Sequence, residues 1–215
     1  MILDALLLSI AVTGASTVFV AVTGTVLGRW LAGGGSWRNG VDAIVSAPLV
    51  LPPTVTGFLL IALFGRRGPI GRWFHAWDLD LTFTPFAAVL AAVVVSLPLM
   101  VRSARAAFEA IDPAYGRLAQ SLGCPPRSLA RRIEWPLARR GLAAGAALAF
   151  GRALGEFGAT LMIAGNLRGR TQTLPLAVYE SFLRGDDRAA WIAVGILTLG
   201  SFAVLAIARR LGDGR

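Results

Sequence analysis

Residues Glu109–Leu137 read EAIDPAYGRLAQSLGCPPRSLARRIEWPL, a charged, proline-rich stretch between two long apolar runs. Asp112-Pro113 is a helix start, with the Asp carboxylate as N-cap and Pro in the first turn, where its missing N–H costs nothing. Ala114–Leu122 suits a short helix. Gly123 stands where a left-handed C-terminal glycine belongs, and Pro125-Pro126 forbid continuation. A second helical piece, Arg127–Glu134, is expected to stop before Pro136. The stretch predicts a helix–turn–helix knob, or, read from composition alone, a basic loop lying on anionic lipid.

Outward from this stretch the chain is apolar. Ala5–Gly28, Ala43–Gly65, Leu81–Val101 and Ala189–Ala208 are each 20 residues or longer and free of charge. At about 1.5 Å rise per residue, each crosses a hydrocarbon core of roughly 30 Å. One such run fits the core of a soluble protein; four in 215 residues do not. A fifth run, Gly141–Leu167, carries Arg152 and Glu156 but is otherwise apolar or small, and is read as a span. Thr171–Leu183 is too short to cross and reads as an interfacial or re-entrant helix. The first run is not a cleavable signal peptide, since only Asp4 precedes it and its apolar stretch is too long. The expectation is one all-α membrane domain over residues 1–215, a bundle of about five spans with the 109–137 loop at one end.

The chain has 21 basic residues, all arginine, and a formal charge of +9. The arginines gather in the loops between apolar runs, which argues against nucleic acid. Thirteen lie in 29–42, 102–140 and the C-terminal tail, against seven in 66–80 and 168–188. The positive-inside rule therefore puts the N-terminus outside and the 109–137 loop and C-terminus in the cytoplasm. Without lysine the chain has no phosphate-binding P-loop, so any ATPase that drives it is another chain. One cysteine, Cys124, and one histidine, His75, supply neither a disulfide nor a Cys/His metal cluster. No catalytic set and no cofactor motif is found. A membrane enzyme would have only Arg152 and Glu156 at membrane depth to work with.

Within the second span, Pro52-Pro53 lie nine or ten residues in, about 15 Å deep. Both remove helix hydrogen bonds, and broken backbone at that depth persists only when covered by protein or lining a polar path. The pair reads as a gate or its hinge, with a packed kink as the plainer alternative. Thr54 and Thr56 are placed to offer hydroxyls to the freed carbonyls or to a solute on that path. Arg152 and Glu156, spaced i,i+4, are expected to meet, either as a structural ion pair or as part of a transport path. Gly141/Gly145 and Gly151/Gly155 are small-xxx-small pairs that allow close helix packing. The segment 66–80 carries Arg66, Arg67 and Arg72, candidate charged contacts for a partner, with Trp73 and Trp77 suited to the interface.

The 109–137 stretch resembles the EAA loop of ATP-binding-cassette (ABC) importer permeases. Arg117-Leu118-Ala119 is followed by Gly123, then nine residues, then Ile133-Glu134-Trp135-Pro136, which matches that family's spacing. Two positions depart: Arg117 stands at the family's glutamate and Trp135 at its leucine. Pro48–Gly57, Phe64–Gly71, Ser96–Arg105 and Gly151–Thr160 are similar, in order and spacing, to the molybdate permeases; sulfate permeases share a close version of LGEFGAT. The resemblance implies an inner-membrane permease that works as a homodimer. It implies ATPase subunits docked on Ala114–Pro136 through Arg117, Leu118, Ala119, Gly123, Ile133 and Pro136. It also implies a periplasmic oxyanion-binding protein that sets specificity. The expected cargo is molybdate, with tungstate or sulfate/thiosulfate as close alternatives. An ATP-independent channel or secondary transporter is the rival class, and the EAA spacing argues against it.

Overall fold

The computed structural model describes residues 2–212, which form helices and connecting segments with no strand among them. The helices are α1 (Ile2–Ala32), α2 (Ser36–Val50), α3 (Pro53–Phe64), α4 (Gly71–His75), α5 (Pro85–Glu109), α6 (Pro113–Ser121), α7 (Pro126–Leu129), α8 (Trp135–Leu154), α9 (Gly158–Ala164), α10 (Leu174–Leu183) and α11 (Asp187–Gly212). A π-helical turn, Ala130–Glu134, joins α7 to α8 without interruption.

Three helices, α1, α5 and α11, are long and apolar enough to cross a membrane. The other two expected spans are bent. α2 and α3 differ in direction by 117°, and the α7–α8 rod and α9 by 61°. Five crossings are reached only if each bent pair counts as one. The segment Ala43–Gly65 is therefore no straight span: α2 begins at Ser36 and the chain turns back at Leu51–Pro52. Hydropathy registers the apolar residues of a pair of helices but not the angle between them.

Pro136 corrects a second expectation. It does not end a helix, because the rod runs from Pro126 to Leu154. In the π turn the Trp135 N–H reaches back to the Ala130 carbonyl, one residue further than in an α-helix. That extra residue opens the ladder where the proline ring would otherwise meet the carbonyl of the preceding turn. The helix that carries span four thus begins well before Gly141.

The centre of the bundle is α1 against α5, with α8 packed on both. Small residues set the spacing. A Cβ on Gly28 of α1 would lie 2.6 Å from the Ala104 Cβ and 2.7 Å from the Val101 carbonyl oxygen. On α8, a Cβ on Gly145 would lie 2.5 Å from the Ser103 Cβ, and one on Gly141 2.7 Å from the Ala107 Cβ. The Gly141/Gly145 pair is thus a face laid directly on α5. Gly151 instead faces Val204 of α11, and Gly155 sits at the helix break with no neighbouring element close by. α10 packs on α11 and α1. Leu174, Leu176, Ala177 and Ser181 are buried, and the Leu174 N–H donates to Ser9 Oγ of α1 at 2.7 Å. The outer faces of α1 and α11 expose Phe19, Val22, Trp191, Leu199 and Phe202, as apolar solvent requires.

Candidate functional site

The two helix breaks meet. Leu51 and Pro52 are extended, and α3 starts at Pro53. Gly155–Phe157 form the other break, and α9 starts at Gly158. At the contact, a Cβ on Gly158 would stand 2.9 Å from the Pro53 Cβ and 3.5 Å from the Thr54 nitrogen. One turn on, a Cβ on Gly57 would stand 2.7 Å from the Met162 Cβ and 2.9 Å from the Ala159 Cα. Backbone therefore packs on backbone where the two short helices begin.

The polar groups of the junction are mostly satisfied from within it. The Pro52 carbonyl accepts from the Thr56 N–H at 3.1 Å and from the Thr56 hydroxyl at 3.4 Å. Thr56 is buried, while Pro52, Pro53 and Thr54 are exposed. Glu156 is only 3% exposed. Its Oε1 accepts from the Ala159 N–H at 2.8 Å, and its Oε2 accepts from Arg152 Nη1 at 2.7 Å. The carboxylate thus caps the positive end of α9 and answers the guanidinium at the end of α8. Its charge is spoken for on both sides. Of the residues singled out in the sequence, Pro53 and Thr54 are brought against α9, immediately beyond Glu156.

The 109–137 loop is at the other extreme of exposure. The Asp112 carboxylate accepts from the Ala114 N–H at 2.7 Å, as an N-cap should. At the end of α6, Gly123 has φ +66; its N–H reaches the Gln120 carbonyl at 3.0 Å, and the Cys124 N–H reaches Ala119 at 2.8 Å. These are the paired bonds of a glycine-terminated helix. Ala119 alone on α6 is buried, whereas Leu118 is 60% and Leu122 75% exposed. Arg117 is exposed and makes no ion pair among the described residues. Ile133 is half-buried and Pro136 exposed. An open cleft of about 550 Å³ runs along α6, lined by Asp112, Tyr115, Arg117, Leu118 and Ser121.

A family model described as "Binding-protein-dependent transport system inner membrane component" matches residues 24–215. The chain belongs to that family. A putative molybdenum transport system permease protein of Bacillus subtilis is 40% identical to it over 200 residues, covering 92% of this chain and 88% of that one. The molybdenum transport system permease protein ModB of Escherichia coli K12 is 39% identical over 168 residues, covering 77% and 73%. Among solved structures, a chain of the MetNI methionine ABC transporter in an inward-facing form superposes with a TM-score of 0.71 at 19% identity, covering 98% of this chain and 96% of that one. A chain of a bacterial alginate ABC transporter gives the same score at 17% identity. At those identities the structures establish the fold: the permease is an ABC-importer membrane subunit in architecture.

Several residues anchor the permease's loop through contacts that the sequence alone does not signal. Glu134 accepts from Arg29 Nε at 3.0 Å and Nη2 at 2.6 Å, tying the π turn to the end of α1. Trp135 packs edge-on against Phe108 of α5 at 5.8 Å, and the Arg29 guanidinium lies 6.0 Å from the same ring. The tryptophan at the family's leucine position therefore packs the start of α8 against the end of α5. Arg105 completes the anchorage, donating to Glu109 at 2.7 Å and to Asp42 of α2 at 3.1 Å. None of these partners is close in sequence except Arg105–Glu109, whose i,i+4 spacing was the one available signal.

At the opposite end of the bundle, Arg66 and Asp80 form a two-pronged ion pair, with Nε to Oδ1 at 3.0 Å, and His75 Nδ1 lies 3.1 Å from the same oxygen. The Arg66 guanidinium holds the Asp80 carboxyl below the usual carboxylate range. Arg66 is thus occupied within its own segment, while Arg67 and Arg72 remain exposed.

Proposed function

We propose that this chain is the membrane-spanning permease of an ATP-driven molybdate importer. The observation that carries the reading is its 38–40% identity, over most of its length, to permeases named for molybdenum transport. In this reading the chain hydrolyses nothing. A separate ATPase subunit sits on α6 and the turn at Gly123, and a periplasmic binding protein delivers the anion to the other end. The exposed Leu118 and Leu122 support that docking, since an apolar helix face in an aqueous loop invites a protein partner. The arginine distribution supports a cytoplasmic position for this loop, with the N-terminus outside. Thiol labelling at Cys124, the chain's one cysteine, tests this side assignment in sealed vesicles.

The junction of α3 and α9 is the gate in this proposal, and two copies of the chain face each other across it. Pro52, Pro53 and Thr54 are exposed beside Val50, which is 87% exposed. A second copy covers this surface and leaves the polar backbone at the breaks lining a shared path. Arg152 and Glu156 serve that gate by holding the start of α9 in place. A path of this kind binds its cargo weakly enough to release it.

Competitive uptake of labelled molybdate, tungstate and sulfate by the complex reconstituted with its ATPase and binding protein tests the assignment. ATP-dependent molybdate uptake, with tungstate as an effective competitor and sulfate a poor one, is expected. Uptake of sulfate with molybdate excluded would assign the chain to the sulfate branch, and uptake without an ATPase would overturn the reading.

A further inference from the structure

A cleft of about 880 Å³ opens at the end of the bundle away from the 109–137 loop. It lies between the segment after α3 and the segment after α9. Arg66, Arg67 and Arg170 line it, and Asp80 is the one carboxylate on its wall. The Arg66–Asp80 pair cancels one of these charges. Arg67 and Arg170 have no carboxylate within ion-pair distance among the described residues, so the cleft keeps an uncompensated positive charge. Its two walls are fixed to each other, because the Phe83 N–H donates to the Ile163 carbonyl of α9 at 2.9 Å. The Phe83 ring covers Gly165, where a Cβ would lie 2.9 Å from it.

The position matters as much as the charge. Ile61 of α3 forms part of the cleft, and eight residues along the same helix is Pro53, at the junction. At 1.5 Å per residue the cleft stands about 12 Å from the break. A concave surface with one sign of charge and apolar walls raises the local concentration of counter-ions.

We infer that this cleft is a low-affinity receiving site for a small oxyanion dianion, in which Arg67 and Arg170 hold the anion between its release outside and its passage through the junction. The inference rests on the proposed function for the anion's identity, but its electrostatic content is independent of transport. Arg66, tied to Asp80, positions the loop that carries Arg67.

The test uses the full permease with Cys124→Ser and Thr82→Cys, which places one reporter thiol on the cleft wall. An anionic sulfonatoethyl and a cationic trimethylammonium-ethyl methanethiosulfonate are compared, each normalised to its rate with a free thiol in solution. The expected result is that the anionic reagent is favoured by about tenfold at low ionic strength. Molybdate should slow it at ionic strength matched with chloride. Arg67→Gln/Arg170→Gln should abolish both effects, and Arg72→Gln, outside the cleft, should keep them. Equal rates for the two reagents would overturn the inference. So would loss of preference in Arg72→Gln, which would mean a diffuse field. Protection by the unloaded binding protein but not by free oxyanion would assign the arginines to protein docking instead, and also overturns it. Failure of molybdate uptake in the reconstituted complex, with the anion preference intact, would strike the proposed cargo and leave the cleft standing.

Discussion

The junction of α3 with α9 and the loop that carries α6 belong to one chain but are built in opposite ways. At the junction, glycines let backbone touch backbone, and the buried carboxylate of Glu156 has a partner on each oxygen. In the loop, α6 buries one alanine and leaves Leu118 open, as is Leu122 just after it. The junction is complete without help from another chain on its buried side. Asp112 and Gly123 cap α6 at its two ends, the Arg29–Glu134 and Trp135–Phe108 contacts tether the loop to the bundle, and α6 is otherwise available. A close-packed contact has two discrete arrangements rather than a continuum, which suits a gate. A lightly packed knob tethered to the bundle at one end suits a lever.

The sharpest break of that contrast is Gly158→Leu. The side chain has no room against Pro53, and overpacking of this kind costs about 1–3 kcal/mol. Thermal unfolding in detergent should fall by several degrees and uptake should be lost, whereas Gly155→Ala, at an open position, should change little. Next, Gly123→Val forces a β-branched residue into φ +66. The strain is local, about 1–2 kcal/mol, so membrane insertion should survive while ATP-driven uptake is abolished. Normal uptake would show that the turn is not a lever.

Glu156→Gln separates charge from shape at the junction. It keeps an acceptor for the Ala159 N–H and removes the ion pair with Arg152, and a loss of about 1–3 kcal/mol is expected by chemical denaturation. Arg29→Ala and Glu134→Ala probe the loop's attachment. This pair is partly exposed, so a double-mutant cycle should return a coupling of at most about 1 kcal/mol. A larger coupling would mean that the loop is welded on rather than tethered.

The smallest effect concerns the far end. The folded-state pKa of Asp80 is depressed by Arg66. The stability this adds is therefore present above the unfolded carboxylate value, about 3.9, and is lost as pH falls through the depressed value. From pH 5 down into stronger acid the advantage of the wild type over Asp80→Asn should shrink. Thermal unfolding across that range checks it.

How much of this was legible beforehand varies by element. α1, α5 and α11 are plain in the apolar runs, because a long uncharged stretch in lipid has little choice but a straight helix. The cap at Asp112 and the turn at Gly123 were legible too, since both depend on residues adjacent in sequence. The bent pairs were not. Pro52-Pro53 announces a break, but the 117° turn is set by what α3 packs against. Pro136 suggested a helix end, yet a π turn absorbs it, with Glu134 and Trp135 held by Arg29 and Phe108 from distant segments.

The sequence by itself determined that this is an all-α membrane protein, that its ATPase lies elsewhere, and that a capped helix and glycine turn sit between its third and fourth apolar runs. These follow from composition and from interactions within a few residues. Only the tertiary structure decided that the two helix breaks meet, that Glu156 closes the start of α9 rather than facing open space, and that Arg67 and Arg170 share a cleft. Each of these joins residues across helix packing or a return of the chain, where small side chains and close approach, not local propensity, choose the partner.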